Sequence, residues 1–429
     1  MTNISIKNLS LDVFIYIVGI PCLFMMIITS RGFTQIKIVL LLLFSFICFI
    51  DVVLNRSSIM ICHIRYVLVF MTYFMLSLIF GIVNGYEFHL ENDYVLFQYY
   101  VFTPIIVLII ASCISWKSKR REVFISVFKY ISLFMAIMDV WKLFCLRGVL
   151  PDVDPLNLFM VSSAVTDVEL SLRISNEHGF MFILPYFTVL MFLEKKNIKD
   201  SLINKLIFGF GVIYSLLSGR KILQIVFALS VIFMIFYVTV ICGKTKKILK
   251  YIALGALIIL VAYRVGNVLN IGNIFQRVQH TLSRGLSKGT LGVDNRLEYM
   301  AALVELWLKS PIIGNGLNSH AADTIANSQT KWSYEVFYHA FLAQSGIVGI
   351  IIYAIGVLYL CRKLRKQYEY YKDATCMAAL LGFVCFVLCG STNPLIVTPW
   401  VWIFVASIAF THEHGNLSSS DDYCTIEQI

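Results

Sequence analysis

Apolar stretches of roughly 20 residues, the length at which a helix crosses the hydrocarbon core of a bilayer, recur from one end of the sequence to the other. By length and continuity they predict about twelve spans, near 11–29, 36–54, 65–84, 97–115, 123–146, 178–193, 202–218, 221–242, 248–265, 335–360, 374–390 and 395–411. Ser218-Gly219-Arg220-Lys221 interrupts one apolar run with a glycine and two cations, so a tight helical hairpin is expected there. The first run follows a short tail and lacks a small-residue cleavage site, so it is expected to be retained as span and targeting signal together. The fold predicted is an all-α polytopic integral membrane protein, one membrane domain over 1–429 with a cytoplasmic tail at 412–429.

Polar residues between the runs alternate in kind. One set of loops carries Arg56 and Arg65; Lys117, Lys119, Arg120 and Arg121; Lys195, Lys196 and Lys199. It continues with Lys244, Lys246, Lys247 and Lys250, then Arg362, Lys363, Arg365, Lys366 and Lys372. The alternate loops hold Glu87, Glu91 and Asp93, and later Asp152, Asp154, Asp167, Glu169 and Glu177. Basic residues in short loops mark the cytoplasmic side, so the acidic loops are expected outside and both termini inside.

One outer segment, 266–334, is far longer than the rest. In it Leu297, Met300, Ala301, Val304 and Leu308 recur at helical spacing, with Glu298, Glu305 and Lys309 on another side. Asp294 suits the N-cap, and Ser310-Pro311 with Gly314-Asn315-Gly316 ends the helix. An amphipathic helix lying over the bundle is expected, followed by a turn that returns the chain to the membrane.

Composition agrees with this pattern: 59% of residues are hydrophobic and 14% charged, with a mean hydropathy of +0.80. A soluble domain of this size could not bury so much apolar surface. The net charge of +10 comes from basic loops that serve topology and is accompanied by no nucleic-acid motif, so binding of nucleic acid is not expected. Of eleven cysteines, Cys22, Cys48, Cys113, Cys376, Cys385 and Cys389 lie inside apolar runs and none forms a CxxC pair, which fits apolar packing.

Arginines in outer loops run against the charge rule and need a reason. Arg173, Arg220, Arg264 and Arg296, together with His339, fall at the outer membrane–water boundary. Arg220 follows Ser218-Gly219 at the start of a span, where free N–H groups and the helix dipole favour an anion and the guanidinium adds paired donors for phosphate. One such arginine is explained by snorkelling to lipid headgroups; several together favour an anionic ligand. His339, flanked by Tyr338 and near Tyr334, suits a general base or an aromatic-belt position. His178, His280 and His320 are weaker candidates for that base. Asp139 and Lys142, one turn apart, suit mutual neutralisation within a span. Asp152-Val153-Asp154 has the spacing of a metal-binding DxD but is read as an acidic turn between Pro151 and Pro155.

The second half of the chain resembles the O-antigen polymerase and O-antigen ligase family of bacterial envelope glycosyltransferases. The likeness is carried by Leu172 to Gly179 around Arg173, Ser218-Gly219-Arg220, Asn295-Arg296-Leu297-Glu298 and Ser310 to Gly316. His339, Gln344 to Gly349, and Ser391-Thr392-Asn393-Pro394-Leu395 complete it. The resemblance implies a GT-C-like helical glycosyltransferase acting on a glycan carried by undecaprenyl diphosphate, at the periplasmic face of the bacterial inner membrane. It implies that Arg220 and Arg296 hold the diphosphate, that Arg173 and Arg264 assist, and that His339 activates the acceptor hydroxyl. No metal and no cofactor are expected; membrane lipid and a chain-length regulator protein are further partners implied. The polymerase branch is favoured by the Asn393-Pro394 ending and the span layout. A ligase transferring polymer to lipid A–core, or a lipid-glycan transporter or flippase, stands as the alternative.

Overall fold

The computed structural model describes residues 3–28, 34–55, 58–146, 164–165, 172–173, 177–193, 198–217, 221–241, 243, 257, 260–261, 263–264, 291–322, 324, 330–391 and 398–410. Helix dominates these residues because an apolar segment in lipid must satisfy every backbone N–H and C=O internally. The helices are α1 (Asn3–Ile28), α2 (Thr34–Leu54), α3 (Ser58–Val83), α4 (Leu90–Phe97), α5 (Thr103–Trp116) and α6 (Ser118–Leu146). They continue as α7 (Glu177–Leu193), α8 (Ile198–Leu217), α9 (Lys221–Phe236), α10 (Leu291–Lys309), α11 (Phe337–Tyr371), α12 (Ala374–Cys389) and α13 (Pro399–Ala409). One short antiparallel pairing joins Ala164–Val165 to Leu172–Arg173.

Among the described residues, seven helical stretches are long and apolar enough to cross a membrane, and four shorter apolar helices accompany them. The arrangement is consistent with a polytopic membrane protein. The ninth expected span, 248–265, lies largely outside the described residues, as does the tail at 412–429. The Lys117–Arg121 stretch, expected as a loop, is mostly the first turn of α6, with Lys117 alone separating α5 from α6. Between α4 and α5 the helix widens into a π-turn at Gln98–Phe102. Pro104 lacks an N–H and would strike the carbonyl four residues back, and the extra residue in the turn relieves that clash. The Thr103 hydroxyl donates to the Gln98 carbonyl at 2.8 Å.

The core forms around α7, which is buried from Gly179 to Phe192. Phe128 of α6 packs with Phe182, Tyr186 and Phe187 of α7 and with Phe404 of α13. Elsewhere apolar side chains face outward at helical spacing: Val39, Leu42, Leu43 and Phe46 on α2, and Ile225, Leu229, Ile232 and Phe236 on α9. Such broad exposed apolar faces are an aggregation liability in water and the ordinary surface of a helix in lipid.

Contacts sort the helix ends into two levels. At the basic end, Arg120 donates to Asp51 at 2.5 and 2.8 Å and to Asp12 at 2.5 Å, and Lys117 donates to Asp12 at 2.9 Å. Arg120 and Asp51 are almost wholly buried, 1% and 2% exposed. Cys113 also touches this cluster, with Arg120 3.3 Å from its sulfur, so its setting is polar rather than purely apolar. Gln367 to Ala409, Tyr237 to Tyr368, and Tyr359 to His63 join further ends at this level. At the opposite, far end, Asn318 reaches Tyr86, Trp332 reaches Asp93, and Tyr338 reaches Val387. Up-and-down threading requires this two-level sorting.

Candidate functional site

At the far end α11 breaks. Gly346, with φ 65° and ψ −173°, departs from helical geometry inside α11, a conformation open to glycine and strained for other residues. A break leaves donors on one side and acceptors on the other unpaired, and the turn after α10 supplies partners for both. Asn315 N–H donates to the Ala343 carbonyl at 3.0 Å and Gly316 N–H to the Gln344 carbonyl at 2.9 Å. In return, Ile347 N–H donates to Pro311 O at 3.0 Å and Val348 N–H to Ile312 O at 3.1 Å.

Side chains complete this seat. The buried Asn315 amide donates to Leu306 O at 2.7 Å and to Ala343 O at 3.1 Å. Gln344 donates to Trp332 O at 2.8 Å and Ser319 O at 3.2 Å. The Tyr73 hydroxyl of α3 donates to Ser345 O at 2.5 Å. Gly314 and Gly316 have φ of +79° and +108°, and a Cβ on either would collide with backbone, of Gln344 and of Gly81 respectively. Two short motifs, Ser310 to Gly316 and Gln344 to Gly349, thus interlock as one structural unit. The first sequence signal of it was their glycine content; the break itself was not anticipated.

The seat fixes α10. Instead of lying over the bundle as expected, α10 runs parallel to the first turns of α11, from Arg296 beside Glu335 to Leu306 beside Ala343. Leu303 and Leu306 share a buried cluster with Val336, Ala340 and Ala343, and Tyr299 meets the Tyr334 ring at 5.8 Å. The packed face therefore runs through Tyr299, Met300, Leu303, Leu306 and Trp307. The stripe expected to pack, Leu297, Ala301, Val304 and Leu308, is exposed; of the expected face Met300 alone packs here. Periodicity identifies an apolar stripe without naming what covers it.

Of the expected site residues, Arg296 and His339 are brought to one neighbourhood, at the start of α11. Arg296 is held by Glu335 at 2.6 and 3.0 Å, four residues before His339. This ion pair is exposed, 44% and 61% on its two side chains, and water screens such pairs strongly. His339 is half-buried in the first turn of α11. By helical spacing it falls between the side packed on α10 and the side where Tyr338 meets α12. Arg264 is helical and exposed, beside Tyr263, which packs on the main core. Arg173 pairs across the short strand with Ala164 in its backbone; its side chain lies outside the described residues. Arg220 also lies outside them, between α8 and α9, whose antiparallel packing (Phe208 against Phe227 at 5.8 Å) agrees with a hairpin. Asp152, Asp154, His280 and 392–397 are outside the described residues too, as is the His178 side chain.

Further charged and aromatic groups lie at this end, of which Lys331, His89 and Tyr86 carry no signal of their own in the sequence. Lys331 donates to Glu87 at 3.0 Å, and that hydrogen bond, then the one from His89, holds the Glu87 carboxyl below its ordinary range. Burial pushes the Tyr86 and Tyr334 hydroxyls up. His320 stands edge-on to the Tyr86 ring at 5.5 Å. Among the described residues no group of three or more His, Cys, Asp or Glu could hold a metal ion.

The fold and this end together describe a helical membrane protein with a polar, partly basic rim built around a broken helix. No protein-family model matches the sequence, and no curated protein matches it either.

Proposed function

We propose that the chain is an O-antigen polymerase, joining undecaprenyl-diphosphate-linked repeat units at the periplasmic face of the bacterial inner membrane. The observation that carries this reading is the interlocking of the Ser310–Gly316 and Gln344–Gly349 motifs between α10 and α11, the two helices that also carry Arg296 and His339. The motifs behind the resemblance are distant in sequence, and their contact is what a shared site would require. On this reading the chain has about twelve spans in a GT-C-like arrangement, with the basic end cytoplasmic and the far end periplasmic.

In the reaction the acceptor hydroxyl loses its proton to His339 as its oxygen bonds to the anomeric carbon of the donor. The bond from that carbon to the diphosphate oxygen breaks, and the lipid diphosphate leaves with the electron pair. Arg220 and Arg296, helped by Arg173 and Arg264, offset the charge that develops on it. Arg296 must exchange Glu335 for diphosphate, which an exposed, screened pair permits. Arg220→Ala in correctly inserted protein is expected to slow the reaction on the order of 10²–10³.

One observation favours a second reading, a lipid-glycan transporter: Lys129, Asp139 and Lys142 are all buried on α6, where ionisable groups often line a transport path. Deletion of the gene followed by lipopolysaccharide gel analysis separates the readings. A polymerase defect leaves one repeat on each core. A ligase or transporter defect leaves none, and an unchanged ladder rejects all three.

A further inference from the structure

α10 presents three faces rather than two. One packs on α11. At right angles to the charged row Glu298, Glu305 and Lys309 runs the exposed row Leu297, Ala301, Val304 and Leu308. A helix in water has no use for an exposed apolar row beside a charged one, whereas a helix at a membrane boundary turns the first to lipid and the second to water.

The row does not stop at the end of α10. It passes to Ile312 and Ile313 in the turn, 65% and 46% exposed. The turn is hydrogen-bonded to Ile347 and Val348, and from Ile347 the exposed row continues down α11 through Ile351, Ile355 and Leu358. This lower part belongs to a helix apolar enough to cross a membrane. The seat at Gly346 lies nine residues beyond Phe337, about 14 Å along the helix at 1.5 Å per residue. The turn therefore sits well inside the apolar length of α11.

Irregular backbone survives at that depth where protein satisfies its polar groups, and here protein meets most of them. Pro311 O accepts from Trp307 Nε1 and Ile347 N, Ile312 O from Val348 N, and the Ile313 carbonyl lies 3.3 Å from the Tyr73 hydroxyl. Gly314 N–H donates to Ser310 O at 2.9 Å, and the Asn315 and Gly316 N–H groups are held by α11. The outward surface left to the turn is Pro311, Ile312 and Ile313, all apolar.

We propose that α10 and the turn at 310–316 form a re-entrant hairpin whose Leu297–Ala301–Val304–Leu308–Ile312 row is bathed by the acyl chains of the bilayer. The occupant is lipid chain rather than a second protein, because the row is continuous with the lipid-facing row of α11 and its flank is charged toward water. The proposal depends on the membrane fold and not on the glycosyltransferase reading.

The test uses the full-length protein in nanodiscs of phosphatidylcholine and phosphatidylglycerol containing a lipid with a photoactivatable diazirine on its acyl chain. Mass spectrometry reads the cross-linked residues, and hydroxyl-radical footprinting of the same sample reads water access. Acyl cross-linking at Leu308 and Ile312 comparable with that at Ile351 and Ile355, with radical modification around Glu298 and Glu305, is expected. Radical modification of Leu308 and Ile312 without cross-linking puts the row in water and overturns the proposal. Neither label at these residues means that protein covers the row, which overturns it equally.

Discussion

At the basic end of the bundle a guanidinium is enclosed: Arg120 sits between Asp12 and Asp51 and ties the starts of α1 and α6 to the end of α2. At the far end the corresponding closure is made by backbone, with the turn at 310–316 inserted into the break of α11 at Gly346. The first arrangement keeps its charge neutralised and inaccessible. The second consumes almost no charge, so Arg296, Lys331, Glu87, Glu335 and the histidines at this end remain at the rim. A membrane protein that must both hold its helices together and meet a charged ligand gains from separating these tasks. Charges spent inside a packed cluster are lost to ligand binding.

The contrast can be broken most severely at the basic end. Asp51→Ala leaves Arg120 buried with half its partners, and loss of one member of a buried pair costs about 3–5 kcal/mol. Thermal unfolding in detergent should show a large fall, much of it recovered when Arg120→Met is added to Asp51→Leu. At the far end, Gly346→Ala strains the backbone and drives a Cβ against Ile312 and Gly314, on the order of 2–4 kcal/mol from strain and overpacking. The same scan checks it, and polymer formation should fall with it. Asn315→Ala removes two buried hydrogen bonds and is expected to cost on the order of 1–3 kcal/mol. Glu335→Gln should change stability by less than about 1 kcal/mol, yet by releasing Arg296 it should tighten binding of the lipid diphosphate, measured by isothermal titration.

The smallest effect belongs to Glu87. Its carboxyl titrates lower when folded, so its contribution is present above the ordinary carboxylate range, about pH 4, and is lost as the pH falls through the lowered value. Glu87→Gln should lower the neutral-pH melting point only slightly, and the difference from wild type should vanish as the pH falls through the lowered value.

Much of the fold was legible because lipid leaves an apolar run little choice but helix, and a run of 20 such residues is hard to miss. Proline at 104 altered a helix without ending it, and its effect on the turn at 98–102 depended on room in the bundle. The break at Gly346 was hidden because Gln344-Ser345-Gly346 sits in a run otherwise suited to helix, and its cause lies thirty residues away in the turn. The role of Arg120 was obscured by its basic neighbours, which looked like a topology signal. Asp12 and Asp51, acids at the ends of apolar runs, were the clue that a cation had to come to them. The candidate site was visible as separate arginines and a histidine. That Arg296 is held by Glu335, and that α10 turns its expected packing stripe outward, required the tertiary structure.

The claim that chemistry belongs to the far end and scaffolding to the basic end is tested most directly in the deletion strain. His339→Ala and Asp12→Asn are each expressed at equal membrane abundance, and the lipopolysaccharide ladder is compared. Collapse to a single repeat with His339→Ala, alongside a retained ladder with Asp12→Asn, is predicted. A full ladder from correctly inserted His339→Ala protein would contradict it.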